Sequence, residues 1–306
     1  MSTPAVNALP PQPRVRDLIP ATTDALRESS PSPRLDAELL IAHAFGRDRS
    51  WLHSHADEAL GQGEIALLFG WLQRRRAGEP IAYIRGYKDW LSLRILTDPR
   101  ALIPRPETEL LAETAVEEIA ARLVRDDAPI AAWEVATGSG AVSVALGLRF
   151  RQALALGRLR LGASDISAEA LELASENLAA HGLSGLVTLG CGDLMDPPVL
   201  PAPQQPDVLL ANLPYLTSDE VASGAGSLAH EPALALDGGA DGLDKVRRLV
   251  ALLPDRLAVG GVALLEIGHG QAEAVRRLVA DLSMEADVSV LQDLAGIERV
   301  VRIQRA

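Results

Sequence analysis

The chain has 306 residues, 48% of them hydrophobic and 23% charged. That is enough apolar material for two domains, and with no apolar run of about 18 residues it excludes a disordered, fibrous or membrane-spanning chain. A net charge of −12 disfavours binding to nucleic-acid phosphates, and the single cysteine, Cys191, excludes an internal disulfide and a Cys-rich zinc framework.

Residues 1–13 are Pro-rich, lack the apolar segment of a secretory signal and read as a disordered leader. The expected location is the cytoplasm, although Arg14 and Arg16 leave an organelle transit peptide open. From Val15 to Ala77 the pattern is helical. Leu35, Leu39, Leu40 and His43 fall on one face, and a second run from Ile65 ends in Arg74-Arg75-Arg76, cations that suit a last helical turn. Residues 1–80 are therefore expected to form a helical domain. Ile81-Ala82-Tyr83-Ile84 and Trp90 to Ile95 read as two short strands, which makes 81–105 a hairpin linker. A helix from Glu107 to Val124 follows, with Pro106 and acidic residues at its start.

From Pro129 strands and helices alternate: Ile130–Val135, Ala141–Arg149, Leu159–Ser164, Ser167–His181, Val187–Leu189, Val208–Ala211, Leu243–Leu257, Val262–Ile267 and Gln271–Leu282. The last two strands, Val288–Leu291 and Arg299–Ile303, suit an antiparallel pair. Alternation of this kind predicts an α/β fold with a doubly wound, Rossmann-like sheet over residues 106–306.

Ligands of such sheets bind beyond the carboxyl ends of the strands. The first strand runs into Glu134-Val135-Ala136-Thr137-Gly138-Ser139-Gly140, where glycine permits a tight turn and a close approach of backbone to ligand. The second ends in Asp165, whose carboxylate can accept hydrogen bonds from two ribose hydroxyls. Gly192-Asp193-Leu194 follows the third, where Asp193 can meet an adenine amino group. Gly138-x-Gly140-x-x-Ser143 lacks the third glycine of a dinucleotide fingerprint. A ligand with ribose and adenine but no pyrophosphate fits better, and S-adenosylmethionine is such a ligand.

The fourth strand of the sheet ends in Asn212-Leu213-Pro214-Tyr215. An amide nitrogen is a poor nucleophile because its lone pair is delocalised. The Asn212 side-chain oxygen can accept one of its N–H groups, and a backbone carbonyl of Leu213 or its neighbour the other, so that the lone pair turns toward a methyl donor. Tyr215 can pack flat against the planar group.

With these residues in place the chain resembles the HemK/PrmC glutamine methyltransferases over about Arg34 to Arg302. The resemblance is carried by Arg34-Leu35-Asp36-Ala37-Glu38-Leu39-Leu40, Gly78-Glu79-Pro80-Ile81-Ala82-Tyr83-Ile84 and Leu102-Ile103-Pro104-Arg105-Pro106-Glu107-Thr108-Glu109. It continues through Thr137-Gly138-Ser139-Gly140-Ala141, Asp165-Ile166-Ser167, Asn177, Gly192-Asp193-Leu194, Asn212-x-Pro214-Tyr215, Glu231-Pro232-Ala233-Leu234, Gly238-Gly239, Asp241-Gly242-Leu243 and Glu266-Ile267-Gly268. It implies a class I methyltransferase domain and a helical N-terminal domain that docks the protein substrate. It also implies methyl transfer from S-adenosylmethionine, released as S-adenosylhomocysteine, to the glutamine of the Gly-Gly-Gln motif in peptide chain release factors. Arg105 and Glu107 are placed by it beside the cleft. The chain departs from the usual motifs at Ala136, where the family has Gly, and at Leu213, where it has Pro. Further expectations are a monomer with no metal, no membrane contact and no direct nucleic-acid contact. The alternatives are a glutamine methyltransferase acting on a ribosomal protein, a DNA adenine methyltransferase, against which the net charge argues, and a catalytically silent binding protein.

Overall fold

The computed structural model describes residues 12–200, 205–224 and 226–306. Most of the expected leader, residues 1–11, lies outside them. Pro13, expected within that leader, is buried, and its carbonyl accepts the Leu60 N–H at 3.1 Å. Among the described residues no helix is long and apolar enough to cross a membrane.

The chain divides into two compact units. One runs to Tyr87 and includes Gly226–His230, and the other holds Lys88–Ala225 and Glu231–Ala306. The first contains α1 (Val15–Leu26), α2 (Pro33–Ala44), α3 (Arg49–Ser54), α4 (Gln62–Arg76) and α5 (Ile81–Arg85), with Gly226–His230 as a 3₁₀ turn. Val15, Leu18, Leu26, Leu40, Ile41, Leu68 and Leu72 form its core. The arginines that end α4 do more than complement a dipole. Arg74 forms a two-pronged pair with Glu79. Arg75 is buried and donates from Nε to Asp36 Oδ2 at 2.7 Å, an oxygen that also takes the Ser30 hydroxyl at 2.6 Å.

Ile81–Ile84 was expected to be a strand and is instead part of α5. A short apolar run of this kind does not discriminate between the two by periodicity. Here Pro80 caps its start, Gly86 closes it with φ 76°, and Ala82, Tyr83 and Ile84 are buried. The hairpin begins later, as β1 (Tyr87–Trp90) and β2 (Leu93–Leu96). Its turn residues Leu91 and Ser92 have φ of 46° and 60°, the backbone of a two-residue hairpin turn that usually selects Asn-Gly. Trp90 anchors it by donating from Nε1 to the Arg105 carbonyl at 2.8 Å.

The rest of the second unit comprises α6 (Thr108–Arg125), β3 (Ile130–Val135), α7 (Ala141–Arg149), α8 (Arg151–Ala155), β4 (Leu159–Asp165), α9 (Ala168–Ala180), β5 (Val187–Cys191), β6 (Val208–Asn212) and α10 (Ser218–Ser223). After a 3₁₀ turn at Ala233–Ala235 come α11 (Asp244–Arg256), β7 (Val262–Glu266), α12 (Ala272–Ala280), β8 (Ala286–Gln292) and β9 (Glu298–Arg305). Seven strands form one sheet in the order β5-β4-β3-β6-β7-β9-β8. The first five are parallel, and β9 runs antiparallel to both β7 and β8. This is the doubly wound sheet expected, closed by the antiparallel pair.

Strand alternation sets the two cores. Ile130 and Ala132 face Leu111, Ile119, Leu146 and Leu178 on one side. Ala131, Trp133 and Val135 face Leu249, Leu253 and Val275 on the other. Both faces are covered, as a parallel sheet requires.

A buried polar side chain helps to bind the hairpin to this sheet layer. Asn177 on α9 is fully buried. Its Oδ1 accepts the Leu96 N–H at 2.7 Å, and its Nδ2 donates to the Leu96 carbonyl at 3.1 Å and the Ser139 carbonyl at 2.9 Å. Asn177→Ala removes the side-chain partner of these buried and half-buried backbone groups and should lower unfolding free energy by about 2–4 kcal/mol in chemical denaturation. A loss within error of zero would mean that water replaces all three bonds.

Candidate active site

The sheet reverses its winding at β3. From β3 the chain moves outward to β4 and β5, then returns to β6 on the other side of β3. The carboxyl ends of β3 and β6 therefore diverge at a topological switch point, where α/β sheets hold their ligands. A cavity of about 300 Å³ opens there, within the second unit. Of the residues singled out from sequence, Glu134, Ala136, Thr137, Gly138, Ser139, Asp165, Asp193, Leu194, Asn212, Leu213, Pro214 and Arg105 line it. Gly140, Tyr215 and Glu107 are not among its lining residues. Thr108, Ile166 and Leu234, which carry the resemblance with no role assigned to them, and Lys245 also line it.

The loop after β3 is held by its own side chains. Glu134 is buried, and its Oε2 accepts from the Thr137 hydroxyl at 2.8 Å and from the Ser143 hydroxyl. Burial pushes its carboxyl up to about 7 against the lowering effect of those two donors. Gly140 at the start of α7 has φ 77°, and a Cβ there would lie 3.0 Å from that of Ala174. Ala136 adopts φ 58°, a left-handed conformation that costs an L-residue about 1–2 kcal/mol. The glycine usual in the family carries no such cost, which gives the departure at Ala136 its physical meaning.

Asp165 accepts the Gly138 N–H on Oδ2 and the Ser167 N–H on Oδ1, both at 2.9 Å. Burial raises its pKa, and these backbone donors oppose the rise. Asp193 pairs with Arg248 at 2.5 Å, and its loop is held by reciprocal backbone bonds with Asp196. Leu194 in that loop has φ 59°. Trp133 Nε1 donates to Ser164 Oγ at 2.8 Å, and that hydroxyl donates to the Leu194 carbonyl at 3.2 Å, which fixes the loop from two strands.

On the other side of the switch point, Asn212 Nδ2 donates to Thr108 Oγ1 at 3.1 Å. The turn that follows is packed against glycines. Gly242, at φ 72°, sits so close that a Cβ would lie 2.2 Å from the Tyr215 carbonyl oxygen. Tyr215 is raised in pKa by burial first and then by Glu266. Arg105 turns its guanidinium to Glu231, at 2.5 Å, and Glu231 also accepts the Ile103 N–H at 3.1 Å. Glu107 instead faces Arg299, at 3.7 Å.

Glu231, Asn177 and Glu266 were quoted only as residues that carry the family resemblance, with no role assigned. For Glu266 the available signal is a carboxylate that ends an apolar run. Glu266 closes Val-Ala-Leu-Leu and is 1% exposed.

Five parallel strands closed by an antiparallel pair, with a glycine-bearing turn after the first central strand and an acid ending the next, form the class I methyltransferase fold. The crystal structure of the hMettl16 catalytic domain in complex with a MAT2A 3′UTR hairpin matches at a TM-score of 0.52 and 13% identity, over 79% of this chain and 82% of that one, a likeness of fold alone. Residues 17–86 match the PrmC N-terminal domain. A release factor glutamine methyltransferase of Deinococcus radiodurans is 37% identical over 96% of this chain and 99% of its own length. One from Bordetella pertussis is 36% identical over 88% and 93%. The chain belongs to the release factor glutamine methyltransferase family, and it is an enzyme.

Two carboxyls, Glu134 and Glu266, have folded-state pKa values raised to about 7 from 4.5 by burial. A raised pKa means that the folded state binds the proton more tightly than the unfolded chain. The associated stability is complete below about pH 4.5 and is lost as pH rises through 7, on the order of 3 kcal/mol for each group. Calorimetry of the protein alone should therefore give a lower Tm at about pH 8 than at about pH 5.5, with a smaller drop in Glu266→Gln. An equal Tm at both would show that neither carboxyl is strained by ionisation.

Proposed function

We propose that this chain transfers a methyl group from S-adenosylmethionine to the side-chain amide nitrogen of the glutamine in the Gly-Gly-Gln motif of peptide chain release factors. What supports this reading is one cavity that brings together the loop after β3, Asp165 after β4 and Asn212-Leu213-Pro214 after β6. The relatives' names favour a release factor over a ribosomal protein as substrate. The net charge of −12 argues against DNA. We take the first unit to dock the protein substrate, with the enzyme acting as a cytoplasmic monomer.

The residues fit the donor. A carboxylate offers about four acceptor sites, and the backbone bonds to Asp165 use two, so each oxygen keeps one for a ribose hydroxyl. Asp193 accepts from Arg248 through Oδ2, which leaves Oδ1 for the adenine amino group. Ile166 and Leu194 offer apolar surface in the same cavity. When bound, S-adenosylmethionine supplies a methyl group made electrophilic by its sulfonium.

Asn212 Oδ1 accepts one N–H of the substrate amide, and a carbonyl of the Leu213-Pro214 segment accepts the other. Held this way, the nitrogen lone pair points at the methyl carbon. Both acceptors are set before reaction, so they stabilise the positive charge that grows on nitrogen without reorganising. Leu213 keeps the carbonyl that the usual Pro supplies. Tyr215 closes the turn and, where its ring reaches the amide, aligns the plane.

Asn212→Ala should lose about 10²–10³ in kcat for release factor methylation while still binding the donor. Wild-type turnover by this variant would refute the mechanism. Asp165→Ala should have the opposite signature, weakening donor binding at least about tenfold in calorimetry with the fold intact. Mass spectrometry of the labelled product locates the methyl group. Modification at a residue other than that glutamine would overturn the substrate assignment.

A further inference from the structure

Glu266 ends β7, and the parallel register sets it beside Asn212 at the end of β6. It is 1% exposed, and neither carboxylate oxygen has a hydrogen bond of ordinary geometry among the described residues. It does not line the cavity. The polar groups against it are the Thr108 hydroxyl at the start of α6 and the Asn212 side chain. The charged and titratable groups that face it are Glu107 ahead of α6, Arg299 on β9, and the Tyr215 hydroxyl. Burial is the strongest influence on its proton, and these neighbours modify it in both directions.

Methyl transfer to an amide needs the Asn212 side chain in one of its two orientations. Oδ1 must face the substrate N–H, with the NH₂ end turned inward. The hydrogen bond of that side chain to Thr108 does not choose between them. Thr108 Oγ1 accepts from Nδ2 at 3.1 Å, but a hydroxyl donates to Oδ1 as readily. Only a group that accepts and cannot donate breaks this symmetry, and an ionised carboxylate is such a group. Protonated, the same carboxyl gains an O–H that can bond either Thr108 Oγ1 or Asn212 Oδ1, and the two orientations become comparable again.

We infer that Glu266 is the positioning residue that fixes the orientation of Asn212: as a carboxylate it draws the Thr108 O–H and the Asn212 NH₂ inward and leaves Oδ1 facing the substrate. It acts through Asn212, without touching substrate or donor. The activity part of this inference rests on the methyl transfer proposed above, and the structural part does not.

The test uses the full chain, as wild type and as Glu266→Gln, a variant of equal shape whose NH₂ restores a donor. Release factor methylation is followed from about pH 5.5 to about pH 8.5. Wild-type kcat should fall about tenfold per pH unit below its apparent pKa while the donor KM stays flat. Glu266→Gln should lose at least about tenfold in kcat at high pH, show no acid limb and bind the donor as wild type does. In parallel, the side-chain amide signal of Asn212, assigned by its absence in Asn212→Ala, is titrated by NMR without substrate. It should move with a midpoint near 7 in wild type and stay still in Glu266→Gln. A wild-type amide signal that does not titrate overturns the inference, as does Glu266→Gln with unchanged kcat and acid limb. Loss of donor affinity and kcat together in Glu266→Gln also overturns it, since that is a merely structural defect. A titrating signal in a protein that methylates no release factor supports the positioning role and counts against the substrate reading alone.

Discussion

Everything at this site depends on β3 having two parallel neighbours that the chain reaches in opposite directions. The backbone of β3 is fully committed to β4 and β6, and all six of its residues are buried. Its side chains fill the two cores, and Glu134 and Val135 at its carboxyl end also line the cavity. What the strand does is hold three chain segments at fixed separations, the loops that leave β3, β4 and β6. Because successive residues in a strand point to opposite faces, the residue at which each strand stops decides what enters the crevice. Val135 completes one core, and the loop then begins at Ala136. One residue more or less in β6 would exchange Asn212 for an apolar side chain.

The loops are secured by single side chains reaching across the fold as well as by buried apolar residues of their own, Leu194, Met195 and Leu213. Asn177 ties the loop after β3 to the hairpin, Ser164 ties the loop after β5 to the sheet, and Glu231 holds the segment before α6. Each is a hydrogen bond from a side chain to loop backbone, from α9 for Asn177, from β4 for Ser164 and from the bend between two 3₁₀ turns for Glu231, which fixes position without filling the cavity. Two non-glycine residues in these loops, Ala136 and Leu194, sit at positive φ. Such conformations persist only where the surroundings over-determine them, and they gather at functional sites. Here the surroundings are the hydroxyls on Glu134 and the Trp133–Ser164 relay.

The local part of this arrangement was legible in the sequence, and the tertiary part was not. The bounds of β3 and α7 follow from an apolar run that stops at a glycine-bearing turn, and Ser167 caps α9 by accepting the Ala170 N–H as its position suggested. Ile81–Ile84 failed because four apolar residues suit a strand or a helical turn equally, and burial against α2 and α4 chose the helix. The Leu91-Ser92 turn carried no glycine or asparagine to announce it. Its positive φ values are sustained by Trp90, whose anchoring carbonyl is 15 residues away. Asn212 was found because its motif is contiguous. Its partners Thr108 and Glu266 carry the resemblance, but nothing in the sequence joins them to Asn212: sheet register brings Glu266 beside it, and the start of α6 brings Thr108.

Glu134 and Glu266 show how equal burial leads to different roles. Glu134 is the penultimate residue of β3 and Glu266 the last of β7, both are nearly inaccessible, and burial raises both carboxyls to about 7. Glu134 is answered locally: Thr137 and Ser143, three and nine residues on, bring hydroxyl donors as the chain turns into α7. Its environment is completed by its own loop, so its carboxyl braces that loop. Glu266 is not answered in this way by its own loop: His269, three residues on, is exposed, and Gln271 donates to the Tyr215 and Gly242 carbonyls. It depends on groups from β6, α6 and β9, the elements that also define the substrate end of the cavity. A buried carboxyl left to be answered by its neighbours transmits its charge state to them, which is a strained arrangement for a structural residue and a useful one beside an amide that must face one way.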